Sequence, residues 1–318
     1  MTDLVVAAHS LPSPVLIKLE EDAAEIASHA RSANTVRAYR NDWVHFSSWC
    51  CDMGLQALPA PPRTVALYLA AHKDHYAMAT LNRRLSAIAA AHRMADYPFD
   101  TRCREMALVM DGLRRTKMIR QRQVTALTTP LLKRVLGDTS ETLADQRNRA
   151  IALIGMAAAL RRSEIVALEV SDLTLSPEGV RLVIRRSKGD QFGEGQVIAL
   201  ARTSTDLCPV ANLETYLEWA SITEGRVFRA IDRHGNVKTG MTDQSVALIV
   251  KKLTGRAGLE GDYSGHSLRA GFATQAARSG VEERRIAMTT RHKNMDVLRK
   301  YIREGNLFAS AVTSDLGL

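Results

Sequence analysis

The second half of the sequence carries a set of side chains that could act together on an anion. They occur in the order Arg-x-x-Glu, Lys, His-x-x-Arg, His and Tyr, and the seven residues are Arg161, Glu164, Lys188, His266, Arg269, His292 and Tyr301. Taken alone, Lys188 suits an exposed turn, and Tyr301 stands at helical spacing from Leu298, which is typical of packing. The functional interpretation therefore depends on the whole set.

The chemistry that this set suits is attack on a phosphodiester. It lacks the paired carboxylates of sugar hydrolysis and the ligand clusters of metal-dependent hydrolysis. Two guanidinium groups can each bind phosphate oxygens through two hydrogen bonds, and preplaced donors stabilise the charge that builds up during attack. Tyr301 is a candidate nucleophile, and Lys188 is a candidate proton donor to the leaving oxygen.

Helices and one hairpin must position these groups. The stretch ADQRNRAIALIGMAAALRRSEIVAL predicts helices that carry Arg161 and Glu164 on one face, where the carboxylate can hold the guanidinium. The stretch GVRLVIRRSKGDQFGEGQVIALA predicts two strands with Lys188 in the turn between them. The stretch YSGHSLRAGFATQAARSG begins with turn residues and continues as a helix, with His266 and Arg269 near its start.

The first half of the sequence predicts four helices that lead into a basic run. Apolar residues recur at spacings of three and four from Ser32 onward, whereas residues 1–30 are less regular and contain two prolines. The run has no acidic residue among its five cations, Arg114, Arg115, Lys117, Arg120 and Arg122. The run could be a solvated linker between domains or a segment that lies along DNA phosphates. The basic residues on either side favour the contact with phosphates.

Length and charge limit the classes to which this protein can belong. A chain of 318 residues exceeds the usual size of one core, so two domains are expected. The net charge of +9 favours an anionic partner, most commonly nucleic acid, although many basic proteins bind none. The four cysteines follow no metal-binding or disulfide pattern. The sequence also shows no secretory signal and no apolar run long enough for a bilayer, so we predict a soluble intracellular protein. The sequence contains no Walker loop and no G-x-G-x-x-G motif, so nothing in it predicts nucleotide binding.

The order and spacing of the seven residues resemble the tyrosine recombinase (phage integrase) family. The resemblance extends from about Ser32 to the C-terminus, and FSSWC, SGHSLR and YIR are similar to the Cre-like site-specific recombinases within it. The chain departs from the family at two neighbouring positions. Many members have Gly where this chain has Arg291, and Cre-like members can have Trp where it has His292. Either change could alter how closely that helix approaches a phosphate.

The resemblance implies how the phosphate is held. Arg161 and Arg269 would bind the scissile phosphate, and His292 would donate a hydrogen bond to it. Glu164 would orient Arg161.

The resemblance also implies how the strand is cut. Tyr301 would attack the phosphate and become a 3′-phosphotyrosine, Lys188 would protonate the leaving 5′-oxygen, and His266 would assist proton transfer. Because one phosphate ester replaces another, the bond energy is kept in the covalent link. We therefore expect no metal, ATP or other cofactor.

The family fold is mainly α with two domains. We expect an all-α N-terminal core-binding (SAM-like) domain and a mostly helical catalytic domain with a small antiparallel β-sheet. The predicted segments are a flexible N-terminus (1–30), the core-binding domain (31–118), a basic linker (119–125) and the catalytic domain with a C-terminal interaction tail (126–318).

The two domains of the family clamp duplex DNA, so basic residues on both are candidate contacts. Arginines of the N-terminal domain are expected to read guanine in the major groove or to hold phosphates, and a glutamine that begins a later helix could read adenine. The predicted contacts are Arg37, Arg40, Arg83, Arg84, Arg114, Arg115, Lys117, Arg120, Arg122, Gln244 and Lys251.

The apolar tail NLFASAVTSDLGL suggests contact between protomers. Such a tail usually packs on its own domain, but in this family it can dock on the neighbouring protomer and link four subunits around two duplexes. We expect double-stranded DNA with inverted-repeat half-sites as the partner. The protein would be a monomer or weak dimer when free and a homotetramer on DNA, without membrane contact. We expect it to be cytoplasmic and associated with the nucleoid, and to be encoded by a bacterium, a phage or a plasmid.

Three functions are compatible with the sequence. The preferred one is site-specific recombination through a Holliday junction. A type IB topoisomerase would use the same chemistry to relax DNA, and a DNA-binding regulator would have lost catalysis. The N-terminal helical domain and the tail favour recombination, and the complete set of seven residues argues against a silent regulator.

Overall fold

The mainly α fold expected from the sequence is confirmed. The computed structural model describes residues 33–117, 124–137, 142–185, 195–291 and 295–307, and the single positions 18, 22, 313 and 316. The chain divides into two compact units, Met1–Gln121 and Arg122–Leu318. No helix in the described part of the chain combines the length and apolar character that a membrane span requires.

Four helices form the described part of the first unit. They are α1 (Ala33–Asp52), α2 (Pro62–Ala71), α3 (Met78–Met94) and α4 (Arg104–Thr116). Proline opens α2, where its missing N–H would have no helical partner in any case. Their apolar faces meet in a core that includes the fully buried Phe46, Tyr68, Leu81 and Ile88.

The second unit is built on two buried helices. Its described helices are α5 (Thr129–Gly137), α6 (Leu143–Ala157), α7 (Arg162–Ala167), α8 (Pro209–Trp219), α9 (Asp243–Arg256), α10 (Gly265–Arg278), α11 (Glu283–Thr290) and α12 (Met295–Gly305). The apolar residues 150–156 lie in α6, which is buried on nearly all sides. The small residues of α10 allow neighbours to approach it closely.

The sheet has three antiparallel strands in the order β1–β2–β3. They are β1 (Leu173–Ser176), β2 (Gly179–Ile184) and β3 (Gln196–Ala201). Strands β2 and β3 are the predicted hairpin strands, and Leu182 pairs with Ile198. The sequence did not predict β1, because its four residues are too few and too exposed to show an alternating pattern.

A close backbone contact fixes α10. The Leu127 N–H donates to the Ser267 carbonyl at 2.9 Å, and a Cβ added at Gly271 would collide with the Leu127 carbonyl oxygen. Only glycine fits this position without displacement of backbone.

We expect Gly271→Ala to lower the free energy of unfolding by about 1–3 kcal/mol, because backbone rather than a flexible side chain would have to move. Thermal unfolding followed by circular dichroism measures the change. Gly255→Ala in α9 is the control, since a Cβ there meets open space. Equal melting temperatures for Gly271→Ala and the parent protein would contradict the close contact.

Candidate active site

The junction of α6 and α7 positions Arg161. Ala159 adopts a left-handed backbone (φ 48°) after α6, and this turn brings Arg161 to the N-cap of α7. The Glu164 carboxylate then accepts two hydrogen bonds from that residue, one from the backbone N–H at 2.9 Å and one from Nη1 at 2.6 Å. The predicted pairing of Arg161 with Glu164 is therefore present, and it fixes both ends of the arginine.

Glu164 is a buried carboxylate bound by two guanidinium groups. Its side chain is 2% exposed, and its second oxygen accepts from Nη2 of Arg291 at 2.6 Å. Burial disfavours the ionised carboxylate. The charge of Arg291 and the hydrogen bonds and charge of Arg161 outweigh burial, so the pKa of Glu164 is lowered. The carboxylate therefore stays ionised at neutral pH.

Helix α10 carries Arg269 into the same cluster. The Ser264 side chain caps the helix by accepting from the His266 backbone N–H at 3.3 Å. Arg269 is 6% exposed, and its Nη1 donates to the Ala159 carbonyl at 2.6 Å. Its Nη2 has no hydrogen-bond acceptor among the described residues.

Arg269 lies in an environment that favours a bound anion. Burial and the charges of Arg161 and Arg291 lower the pKa of Arg269 to about 9, so the guanidinium remains charged at neutral pH. Arg161 and Arg291 bind the Glu164 carboxylate, and Arg269 is within electrostatic reach of it, so three guanidinium groups share one carboxylate. An anion among them would relieve the repulsion and accept from the buried Nη2 donor.

Tyr301 lies on α12, which packs against α10. The approach is close at Gly305, where an added Cβ would be 2.7 Å from the Thr274 carbonyl oxygen. Tyr301 is half-buried against the cluster that includes Leu298. Burial and Glu304 raise the pKa of Tyr301, whereas Arg269 lowers it, so the phenol is within electrostatic reach of Arg269.

The structure thus brings together Arg161, Glu164 and Arg269, with Tyr301 near the last of these. His266 is exposed in the first turn of α10, one turn before Arg269. Lys188 and His292 lie outside the described residues. No group of three or more metal-ligating side chains occurs in the described part of the chain.

Sequence reasoning missed Arg291 as a member of this cluster. In the sequence Arg291 stands out only as a departure from the glycine of many family members, but its side chain is 5% exposed and binds Glu164. The signal available in the sequence was a basic residue directly before a candidate catalytic histidine.

The predicted DNA contacts of the first unit differ in exposure. Arg37 and Arg40 are exposed on α1. Arg83 is half-exposed, and it holds the buried Asp42 through bonds of 2.7 and 3.0 Å.

Arg84 is a correction to the predicted set. It is 6% exposed, donates to the Tyr68 hydroxyl at 2.6 Å, and lies 3.8 Å from the centre of the Tyr76 ring. Because its guanidinium is used inside the unit, this position argues against a DNA contact.

The basic run and α9 contribute further exposed cations. Arg114 and Arg115 are exposed at the end of α4, with Arg114 paired to Asp111, and the Lys117 ammonium donates to the Tyr76 carbonyl at 2.5 Å. Arg120 and Arg122 lie outside the described residues. Gln244 and Lys251 are exposed on α9.

Comparison with known protein families shows to which family the chain belongs. Residues 117–306 match the phage integrase family, and residues 26–96 match the phage integrase N-terminal SAM-like domain. The chain belongs to the phage integrase family. It is therefore a tyrosine recombinase, an enzyme that cleaves and rejoins DNA strands in site-specific recombination.

Individual relatives agree with this assignment. The chain is 38% identical over 287 residues to an integrase/recombinase xerD homolog of Selenomonas ruminantium, covering 88% of this chain and 84% of that protein. It is 25% identical over 290 residues to the tyrosine recombinase XerD of Shewanella oneidensis, covering 86% of this chain and 87% of that protein.

Solved structures share the fold of this recombinase. A lambda integrase dimer bound to a COC′ core site matches with a TM-score of 0.57 and 15% identity, covering 94% of this chain and 83% of that chain. A post-cleavage complex of the XerH site-specific recombinase with a palindromic difH substrate matches with a TM-score of 0.59 and 16% identity, covering 81% and 72%. At such identities the likeness shows the fold alone.

Proposed function

We propose that this recombinase cleaves DNA through Tyr301 with a 3′-phosphotyrosine intermediate. The observation that carries the proposal is the buried Arg269 beside Arg161. Its Nη2 donor has no acceptor in the described part of the chain, and it lies within electrostatic reach of Tyr301. A scissile phosphate supplies the acceptor and the negative charge that this cluster favours. Trapping of a covalent protein–DNA adduct tests the proposal.

In the proposed reaction the Tyr301 oxygen attacks phosphorus and the bond from phosphorus to the 5′-oxygen breaks. The phenolic proton must leave during attack, because the raised pKa of Tyr301 keeps the hydroxyl protonated at neutral pH. His266 is proposed to assist that transfer, and Lys188 to protonate the departing 5′-oxygen. A 5′-hydroxyl of another strand then attacks the phosphotyrosine, releases Tyr301 and rejoins the DNA.

The phosphate is held by Arg161 and Arg269 in this proposal, with His292 as a further donor. Glu164 supports Arg161 through the two hydrogen bonds described above. Guanidinium groups suit this role because they stay charged and because their planar arrangement of N–H donors matches two phosphate oxygens.

We propose that recombination proceeds in a homotetramer on two duplexes with inverted half-sites, through a Holliday junction, in the cytoplasm. The proposed DNA contacts that are exposed are Arg37, Arg40, Arg114, Arg115, Gln244 and Lys251, and Arg83 is half-exposed. The predicted division into residues 1–30, 31–118, 119–125 and 126–318 is part of this proposal. The basic linker would follow the phosphates between the two domains.

Deletion of the chain after Gly305 is expected to preserve binding to one DNA site and to abolish recombination. The proposed reason is that the tail joins neighbouring protomers, and Leu307 and Leu316 are exposed in the described part of it. Gel-shift and plasmid recombination assays measure the two properties, with a chain ending at Leu316 as control. Full recombination by the shorter chain would exclude this role of the tail.

A further inference from the structure

Arg291 occupies a backbone position that ordinarily favours glycine. It follows α11 with φ 54° and ψ 42°, in the left-handed region, which is unfavourable for a side chain with a Cβ. Its side chain is nevertheless 5% exposed, which is unusual for an arginine. Contacts of the guanidinium must offset both the backbone strain and the burial.

The guanidinium joins the ends of three helices. Nη1 donates to the carbonyls of Ala158 at 3.3 Å and Thr289 at 3.0 Å, at the C-terminal ends of α6 and α11. Nη2 donates to the Ala159 carbonyl at 3.2 Å and to Glu164 at 2.6 Å, in the first turn of α7. A cation is favourable at helix C-termini, so this position also suits its charge.

Two of these acceptors also hold the arginines of the candidate active site. Glu164 binds Arg161, and the Ala159 carbonyl binds Arg269. The backbone of Arg291 contributes as well, since its carbonyl accepts from Nη2 of Arg161 at 3.3 Å. One residue therefore contacts the supports of both guanidinium groups.

We propose that Arg291 is a positioning residue for DNA cleavage, which fixes Arg161 through Glu164 and fixes Arg269 through the Ala159 carbonyl. The inference rests on the proposed function, in which those two arginines bind the scissile phosphate. A small displacement of such groups can cost a large factor in rate, because stabilisation in the transition state depends on geometry.

The pH dependence distinguishes positioning from a purely structural role. The charged groups that act on Glu164 are Arg161, Arg291 and Arg269. Removal of Arg291 takes away the main attraction that opposes burial, so the Glu164 carboxyl becomes protonated at a higher pH and releases Arg161. The ratio of variant rate to parent rate should therefore fall as pH is lowered from about 8 to about 5.

The experiment compares full-length parent protein, Arg291→Gly and Arg291→Lys in single-turnover cleavage at saturating duplex DNA. Arg291→Gly removes both the side chain and the backbone strain. We expect it to cleave about 10- to 100-fold more slowly, with the pH trend above and a dissociation constant for DNA within about twofold of the parent value. Arg291→Lys keeps the charge but cannot bridge four acceptors, so it should slow cleavage without the pH trend.

Arg284→Ala, an exposed change on α11, is the matched control and should cleave at the parent rate. Circular dichroism establishes the folded fraction of every variant.

Two results would overturn the inference and leave the proposed function standing. They are cleavage by Arg291→Gly at the parent rate, and a loss of cleavage that equals the unfolded fraction of this variant at every pH. If Arg291→Gly does not fold, the test depends on Arg291→Lys alone. Cleavage by Arg291→Lys at the parent rate would then overturn the inference. Absence of cleavage by the parent protein would instead overturn the proposed function.

Discussion

Replacement of Arg269 by alanine is expected to slow covalent DNA cleavage by about 10²–10³-fold, which is the usual cost of removing one preplaced donor to a charged transition state. The residue is almost fully buried, anchored at the Ala159 carbonyl, and retains a donor without a partner among the described residues. We expect the melting temperature to change little. The substitution removes a charge that is unfavourable there because it is buried and is repelled by Arg161 and Arg291, and this gain opposes the loss of packing.

Single-turnover cleavage of a duplex substrate measures this effect, together with gel-shift binding at the same salt concentration. Arg278→Ala is the control, since Arg278 is an exposed residue near the end of the same helix. Binding should be weakened far less than cleavage. Cleavage at the parent rate by Arg269→Ala would exclude the residue from the phosphate site.

Replacement of Tyr301 by phenylalanine is expected to abolish the covalent adduct entirely, because the nucleophilic oxygen is removed. Folding should be retained, since the ring still packs against the cluster that includes Leu298. A denaturing gel with end-labelled DNA measures the adduct, and Tyr263→Phe in the same unit is the control.

DNA binding by Tyr301→Phe should remain within about twofold of the parent protein, because the ring and the nearby cations are unchanged. An adduct of normal yield with this variant would assign the nucleophile to another residue. Loss of binding together with the adduct would indicate a structural effect of the hydroxyl.

Local patterns in the sequence were sufficient for most of the fold. Helical patterns predicted α6 and α10, and two strand-like stretches around a Gly- and charge-rich turn predicted the pairing strands β2 and β3. Strand β1 escaped notice because a four-residue exposed strand has no distinguishing period. Its position depends on pairing with β2, which is a tertiary contact rather than a property of its own residues.

The side-chain environments were harder to predict than the elements. Adjacent arginines of α3 look equivalent in sequence. Arg84 is buried and donates to the Tyr68 hydroxyl, whereas Arg83 remains half-exposed and binds Asp42. Arg291 and Glu164 are 127 positions apart, so no local pattern links them. Their pairing follows only from the way α11 ends beside the α6–α7 junction.

The most direct test of cleavage through Tyr301 identifies the protein atom that becomes attached to DNA. The protein is incubated with a pool of random duplexes, denatured, and digested with nuclease and protease, and the modified peptide is sequenced by mass spectrometry. We expect a nucleotide joined through its 3′-phosphate to Tyr301, with a free 5′-hydroxyl on the other DNA fragment. A nucleotide on a different residue, or a tyrosine linked to a 5′-phosphate, would contradict this expectation.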